Sequence, residues 1–354
     1  MQTNWNVPMH TVGIDLGDRK SVLCRLNQAG EVVERRTFAS TPEGIERYFR
    51  GAPHARIVME VGTHSPWISR LLQELGHEVI VANPSKIRRG RTRRKSDRID
   101  AEWLARQGRA DPKLLWPITH RGERAQADLV LMKTRDVLVK SRSMFVSHVR
   151  GSVKSLGGRI PSCSTESFHR TAPQHIPDVL RSILAETIEE IRRLTQRIYA
   201  IEREIQKKID EEYPEARAMQ QIKGVGPITA LSFALVVEDP SRFGKRRSVG
   251  AYMGLVPHLE DSGEQESELR ISKAGNELCR KYLVQAAHYV LGPFGPDCDL
   301  RQWGMQMVGG SQSKKVKKRA VVAVARKLSV LMLTLWVSGK RYEPLFNTQQ
   351  RRAA

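Results

Sequence analysis

The chain is short of acid, of cysteine and of long apolar runs, and each shortage narrows its class. Across 354 residues Asp and Glu number 38 against 59 Lys and Arg, giving a net charge of +21 and a pI near 10.2. That surplus is the electrostatic footprint of a nucleic-acid binder, although a ribosome or an anionic membrane surface would answer the same charge. Cys24, Cys163, Cys279 and Cys298 are scattered, with no CxxC and no Cys/His pairing, so neither a zinc site nor a disulfide framework is indicated and a reducing cytoplasm is expected. The start MQTNWNVPMH lacks a charged segment followed by an apolar core, so no secretory signal is expected. The longest apolar run, LSVLMLTLWV at 328–337, is about half what spans a bilayer and reads as a buried helix, with no membrane partner. No base-reading helix-turn-helix or zinc finger is evident. With 40% hydrophobic and 27% charged residues, the chain can bury a sizeable core in two or three domains.

Residues 11–115 alternate strand and helix signals. TVGIDLG reads as a strand, KSVLCRLNQAGEVVERRTF as a hairpin turning at Gln28–Gly30, and TPEGIERYFRG as a helix between a Thr41 cap and a Gly51 stop. RIVMEV, SPWISRLLQELG and HEVIVANP then read as strand, helix and strand, an α/β layer whose functional groups gather at the carboxyl ends of strands. From about 123 to 212 the pattern becomes long helices. Leu184, Ile188, Ile191, Leu194, Ile198, Ile201, Ile205 and Ile209 recur near the coiled-coil repeat, echoed more weakly by Leu129, Met132, Val139, Val146 and Val153. The linker GGRIPSCSTESFHRTAPQHIP can continue neither helix, so an antiparallel hairpin with a long tip is expected, or else a compact helical subdomain. The expected division is 1–118, 119–212 and 213–354, the last mainly helical.

Asp15 and Glu60 end two apolar runs, and Asp97 and Asp100 share one helix face at spacing i, i+3. Carboxylates in so basic a chain suit a divalent metal set against a phosphate backbone, where two ions stabilise attacking and leaving oxygens. Each acid alone reads equally as a turn residue, a cap or an arginine partner, so the set stays open at this point. Just ahead of Asp97 stand Arg88, Arg89, Arg91, Arg93, Arg94 and Lys95, either a solvated loop or a phosphate-binding segment that orders on nucleic acid. IKGVGPITAL, with Lys223, Gly224 and Gly226, is either a phosphate-binding hairpin between two helices or an ordinary turn. Lys273 and the run Lys314, Lys315, Lys317 and Lys318 add basic surface. Spacing alone does not separate Ser262 from the neighbouring Ser267 and Ser272.

Taken in order, GIDLG, VMEVG, KSDRIDAEWLA, the helical insert, IKGVGPITA, VGAYMGLVP and DSG ahead of RISKAGN resemble the DEDD transposases of bacterial insertion sequences, relatives of Piv-type invertases and RNA-guided bridge recombinases. The likeness covers nearly the whole chain. It implies a RuvC-like, RNase H-type N-terminal domain, a coiled-coil hairpin and a C-terminal transposase domain with a helix-hairpin-helix. It also implies one or two Mg²⁺ ions, replaceable by Mn²⁺, on Asp15, Glu60, Asp97 and Asp100, and a serine nucleophile matching Ser262. The partners it implies are donor and target DNA, a structured guide RNA and further copies of the chain as dimer or tetramer, in a bacterial cytoplasm at the nucleoid. Val61, Gly62 and Thr63 depart from the family order, and the loop before Ser262 is one residue short of some relatives, which keeps Ser267 as the second candidate. Competing expectations are a hydrolytic RuvC-like nuclease on branched DNA, an actin-like ATPase suggested by GIDLGDRK but lacking an adenosine motif, and an architectural nucleic-acid binder.

Overall fold

The structure, a computed structural model, describes residues 9–87, 96–258 and 270–353, together with the strand segments Asp261–Ser262 and Gln265–Glu266. The chain divides into two compact units, Met1–Gly122 and Glu123–Ala354.

The first unit is an α/β layer. Its strands are β1 (Thr11–Asp15), β2 (Lys20–Leu26), β3 (Val32–Ala39), β4 (Arg56–Glu60) and β5 (Glu78–Ala82), in sheet order β3-β2-β1-β4-β5. The β1–β2–β3 meander is antiparallel, while β4 runs parallel to β1 and β5 parallel to β4. β1 and β4 are apolar without alternation because helices cover both faces. Helices α1 (Pro42–Phe49) and α2 (Ser65–Glu74) bury Ile45, Phe49, Ile68 and Leu72 against Val12, Ile14, Ile57 and Met59. Thr41 caps α1 by accepting from the Gly44 amide at 3.1 Å, as its sequence predicts. On the other face α3 (Asp97–Ala110) sets Ala101, Leu104 and Ala105 against Cys24, Leu26, Val58 and Ile80. β3 ends the sheet with alternating exposure and the charged residues Glu34, Arg35 and Arg36, which blunts an otherwise open edge.

The second unit is mainly helical. α4 (Glu123–Ser155) and α6 (Asp178–Glu212) run antiparallel, with Arg124 pairing to Glu212 at 2.6 Å, Asp128 to Lys208 at 2.9 Å and Arg142 to Thr195 at 3.3 Å along their length. At one end the linker is a packed cap. Ile160, Ile176 and Phe168 of the single turn α5 (Phe168–Thr171) close over Val146, Val149, Val153 and Leu184. At the other end the pair enters the main core through Leu129, Met132, Ile205 and Ile209. That core is completed by α7 (Pro214–Met219), α8 (Pro227–Val237), α9 (Ser248–Tyr252), α10 (Glu277–Leu291), α11 (Asp299–Val308) and α12 (Lys314–Ser338), with α13 (Phe346–Ala353) at the end. α12 is the one described helix long and apolar enough to cross a membrane, and half of that stretch is buried in the core.

Candidate active site

Register and helix direction bring three of the four predicted carboxylate positions to one end of the sheet, and the fourth lies a turn away. Ile14 pairs with Met59 in parallel, so the next residues, Asp15 and Glu60, leave neighbouring strands side by side, both half-exposed. The path of α3 is fixed by close approaches. A Cβ on Gly13 would lie 2.0 Å from the Ala101 carbonyl oxygen and 2.5 Å from the Ala105 nitrogen, and one on Gly108 would meet Val58 Cγ2 at 2.2 Å. Further along, the buried Arg56 donates from Nη1 to the Gly108 carbonyl at 3.1 Å and from Nε to Glu78 Oε1 at 3.0 Å. α3 therefore runs antiparallel to β1 and β4, and its first turn, with half-exposed Asp100 and exposed Asp97, points to the end where Asp15 and Glu60 emerge. Ser96 caps that turn, its Oγ accepting from the Ile99 amide at 3.4 Å. Glu102 ties α3 to the sheet edge, and hydrogen bonds from Arg35 and Arg106 hold its carboxyl below the ordinary range.

Four oxygen donors of this kind suit a hard divalent cation such as Mg²⁺ or Mn²⁺. Among the described residues no group of three or more His, Cys, Asp or Glu side chains is gathered closely enough to hold an ion, and Asp15, Glu60 and Asp100 each have an interaction partner. The backbone placement and donor chemistry fit a metal centre; the side chains are not drawn around a point.

Two further groups at this end went unread in the sequence. Trp67 donates to His64 Nδ1 at 3.1 Å, which leaves His64 Nε2 facing Asp18 Oδ1 at 3.5 Å. Buried Ser65 accepts from the Gly62 amide at 2.9 Å and lies 2.9 Å from His120 Nε2, pinning the turn that follows Glu60. Burial, then Arg70 and Arg121, push the His120 pKa down. Position alone could have flagged Asp18 and His64, since both sit in loops just past strand carboxyl ends.

In the second unit the serine loop is a hairpin. Val256 accepts from the Ser272 amide at 2.8 Å and Arg270 from the His258 amide at 2.9 Å; farther out, β6 (Asp261–Ser262) pairs with β7 (Gln265–Glu266). Ser262 thus lies beside the turn, since only residues 263 and 264 separate it from its partner Gln265. The foot is tight. Gly254 and Gly275 let two backbones touch, Lys273 takes φ 53°, and Arg280 donates to the carbonyls of Met253 and Ala274 at 3.2 and 2.9 Å. Ser272 sits in this foot, far in register from the turn, and Ser267 lies outside the described residues, as do Arg88, Arg89, Arg91, Arg93, Arg94 and Lys95.

The IKGVGPITAL segment joins α7 to α8. Buried Ile222 and Val225 anchor the turn, Lys223 and Gly226 are exposed, and Gly224 takes φ +100° against Tyr289 of α10. Lys273, Lys314, Lys315 and Lys318 converge on one cleft, whereas Lys317 instead donates to Gln312 at 2.9 Å.

Residues 12–156 match the family described as Transposase, a DEDD group of IS110 type, and residues 216–297 match the Transposase IS116/IS110/IS902 family. Similar curated proteins include a probable family 20 transposase of Pseudomonas aeruginosa, 26% identical over 340 residues covering 94% of this chain and 98% of that protein. The transposase for insertion sequence element IS1328 of Yersinia enterocolitica is 25% identical over 332 residues, covering 93% and 97%. That for IS1111A of Coxiella burnetii is 26% identical over 350 residues, covering 94% and 90%. The chain belongs to the DEDD family of insertion-sequence transposases, enzymes that cut and rejoin DNA.

Proposed function

We propose that this transposase breaks and rejoins DNA strands through Ser262, working with a RuvC-like, RNase H-type carboxylate edge made by Asp15, Glu60, Asp97 and Asp100. The observation that carries the reading is the parallel register of β1 and β4, which delivers Asp15 and Glu60 to the sheet end reached by the first turn of α3. The four carboxylates would hold Mg²⁺, as one or two ions with Mn²⁺ as a substitute, and the bound cation supplies charge stabilisation at the phosphate oxygens. Ser262 Oγ attacks phosphorus; a phosphoserine ester forms as one phosphorus–deoxyribose oxygen bond breaks, and the departing oxygen takes up a proton. Rejoining reverses this, a DNA hydroxyl displacing the serine, so one ester bond is exchanged for another with no outside energy source.

The remaining basic groups position backbone rather than read bases: Lys223, Gly224 and Gly226 at the α7–α8 turn, read as a helix-hairpin-helix, and the residues 88–95 leading into Ser96. A structured guide RNA choosing donor and target by pairing suits the charge of +21. The long pair α4 and α6, read as a coiled coil, and the placing of the carboxylates and Ser262 in separate units suit a homo-oligomer with shared sites.

Strand cleavage by Asp15→Asn, Glu60→Gln and Ser262→Ala proteins tests the reading. All three are expected to be inactive on donor DNA with Mg²⁺. Cleavage by Ser262→Ala at the normal rate would instead make the enzyme a hydrolytic nuclease. Activity recovered by mixing Asp15→Asn with Ser262→Ala protein would show sites shared between subunits, and a discrete RNA co-purifying with the chain would identify the guide.

A further inference from the structure

We propose that the second unit carries a cleft for single-stranded nucleic acid, running from the foot of the serine hairpin along α12 to the C-terminal tail. The inference stands apart from the serine chemistry. The cleft has a volume of about 2240 Å³, more than twice the roughly 1,000 Å³ upper end of small-molecule sites, so a polymer segment fits it better than a metabolite. Among the described residues its lining holds twelve Lys and Arg but only Asp299 and Glu343 as acids. Asp299 is already engaged, accepting from the amides of Asn347 at 2.7 Å and Thr348 at 3.1 Å, which ties the tail down as one wall.

The cations come from three separate segments: Arg246, Arg247 and Arg270 before and within the hairpin foot, Lys314 to Lys327 on α12, and Lys340 and Arg341 in the tail. Those on α12 break a local rule. Lys314, Lys315 and Lys318 crowd the N-terminal end of the helix, whose first turn holds no acid and where the helix dipole disfavours positive charge. An anion along that turn relieves both the dipole and the mutual repulsion.

The choice of single over double strand comes from the apolar part of the lining. Leu300, Val322, Val330 and Leu331 face the same space as Trp303, Tyr342 and the half-exposed Phe346. A duplex presents phosphates and groove edges, whereas unpaired bases offer faces that stack on aromatic rings between cationic walls. The Lys327 ammonium lies 3.7 Å from the centre of the Trp303 ring, and the charged group acting on it is Arg247 rather than a carboxylate, so stacking surface and phosphate partner sit together. Burial, helped by Arg247, pushes the Lys327 pKa down, and a phosphate beside it would oppose that shift.

The test uses the full-length chain with twelve-residue oligothymidylate, oligouridylate and a duplex of equal length, followed by anisotropy and tryptophan emission. Expected are tighter binding of a single strand than of duplex, quenched emission that Trp303→Phe largely removes, and a loss of roughly ten-fold or more in strand affinity for Trp303→Ala and Phe346→Ala. Tighter thymidylate binding assigns the cleft to DNA opened near the cut, and tighter uridylate binding to an RNA loop. Equal affinity for duplex, or strand affinity unchanged within two-fold in both aromatic variants, overturns the proposal. Thermal melts of each variant separate a lost site from a lost fold, and Phe346→Ala, in the tail, keeps the test open if Trp303→Ala does not fold.

Discussion

Gly13→Ala is the sharpest perturbation of the carboxylate edge, because it adds one methyl where the helix carrying Asp97 and Asp100 crosses the strand carrying Asp15. The new Cβ would lie 2.0 Å from the Ala101 oxygen and 2.5 Å from the Ala105 nitrogen. Both neighbours are backbone, so no side chain can swing away, and α3 must retreat by more than an ångström to restore ordinary contact near 3.5 Å. Overpacking of this kind costs about 1–3 kcal/mol, which in a unit of this size lowers the melting temperature by roughly 5–15 °C. The retreat also widens the gap between the Asp97–Asp100 turn and the Asp15–Glu60 edge, and a misplacement near 1 Å costs about 100-fold in rate. Calorimetry and a strand-cleavage assay at a temperature where the variant is folded measure the two effects separately. A Gly13→Ala protein with the parent melting temperature and cleavage rate would refute both the packing of α3 on β1 and the role given to its first turn.

Arg56→Met should destabilise the first unit by about 2–4 kcal/mol in urea unfolding, since it leaves Glu78 without its cation and the Gly108 carbonyl without its donor. Gly224→Ala should cost about 1–2 kcal/mol and weaken DNA binding measured by anisotropy, because φ +100° is strained for alanine and its methyl would stand 3.0 Å from Tyr289 Cδ1. Buried Asp136 shows a pH signature: burial alone would raise its pKa, but hydrogen bonds from Lys281 and Lys140 prevail and hold it below 3.8. Its contribution is then complete above 3.8 and disappears as pH falls through the lower folded value, so the urea unfolding free energies of Asp136→Asn and parent should differ by about 1–3 kcal/mol at neutral pH and converge as the solution is acidified below the ordinary carboxylate range.

The strands were legible because a parallel strand covered on both faces must be apolar throughout, and TVGID and RIVME satisfy that reading with an acid at each end. The i, i+3 spacing likewise placed Asp97 and Asp100 together on one helix. What local pattern could not supply was the return path of α3, which depends on two glycines, Gly13 and Gly108, meeting partners far away in sequence. The Asp18–His64 contact escaped for the same reason, being made between two loops. The loop carrying Ser262 proved to be a hairpin, because residues 256–258 pair with 270–272 across a gap no turn motif announces. α11 was missed because DLRQWGMQMV is short and interrupted by Gly304, whose missing side chain admits Val324 and Leu291 at the helix crossing.

The central claim, a serine nucleophile served by carboxylates of the other unit, is tested most directly by trapping the protein on nicked donor DNA with Mg²⁺ and mapping the linked peptide by mass spectrometry. The account predicts a nucleotide phosphate on Ser262, and no adduct from Asp15→Asn protein. A phosphate on Ser267, or cleaved DNA with no linked peptide at all, would contradict it.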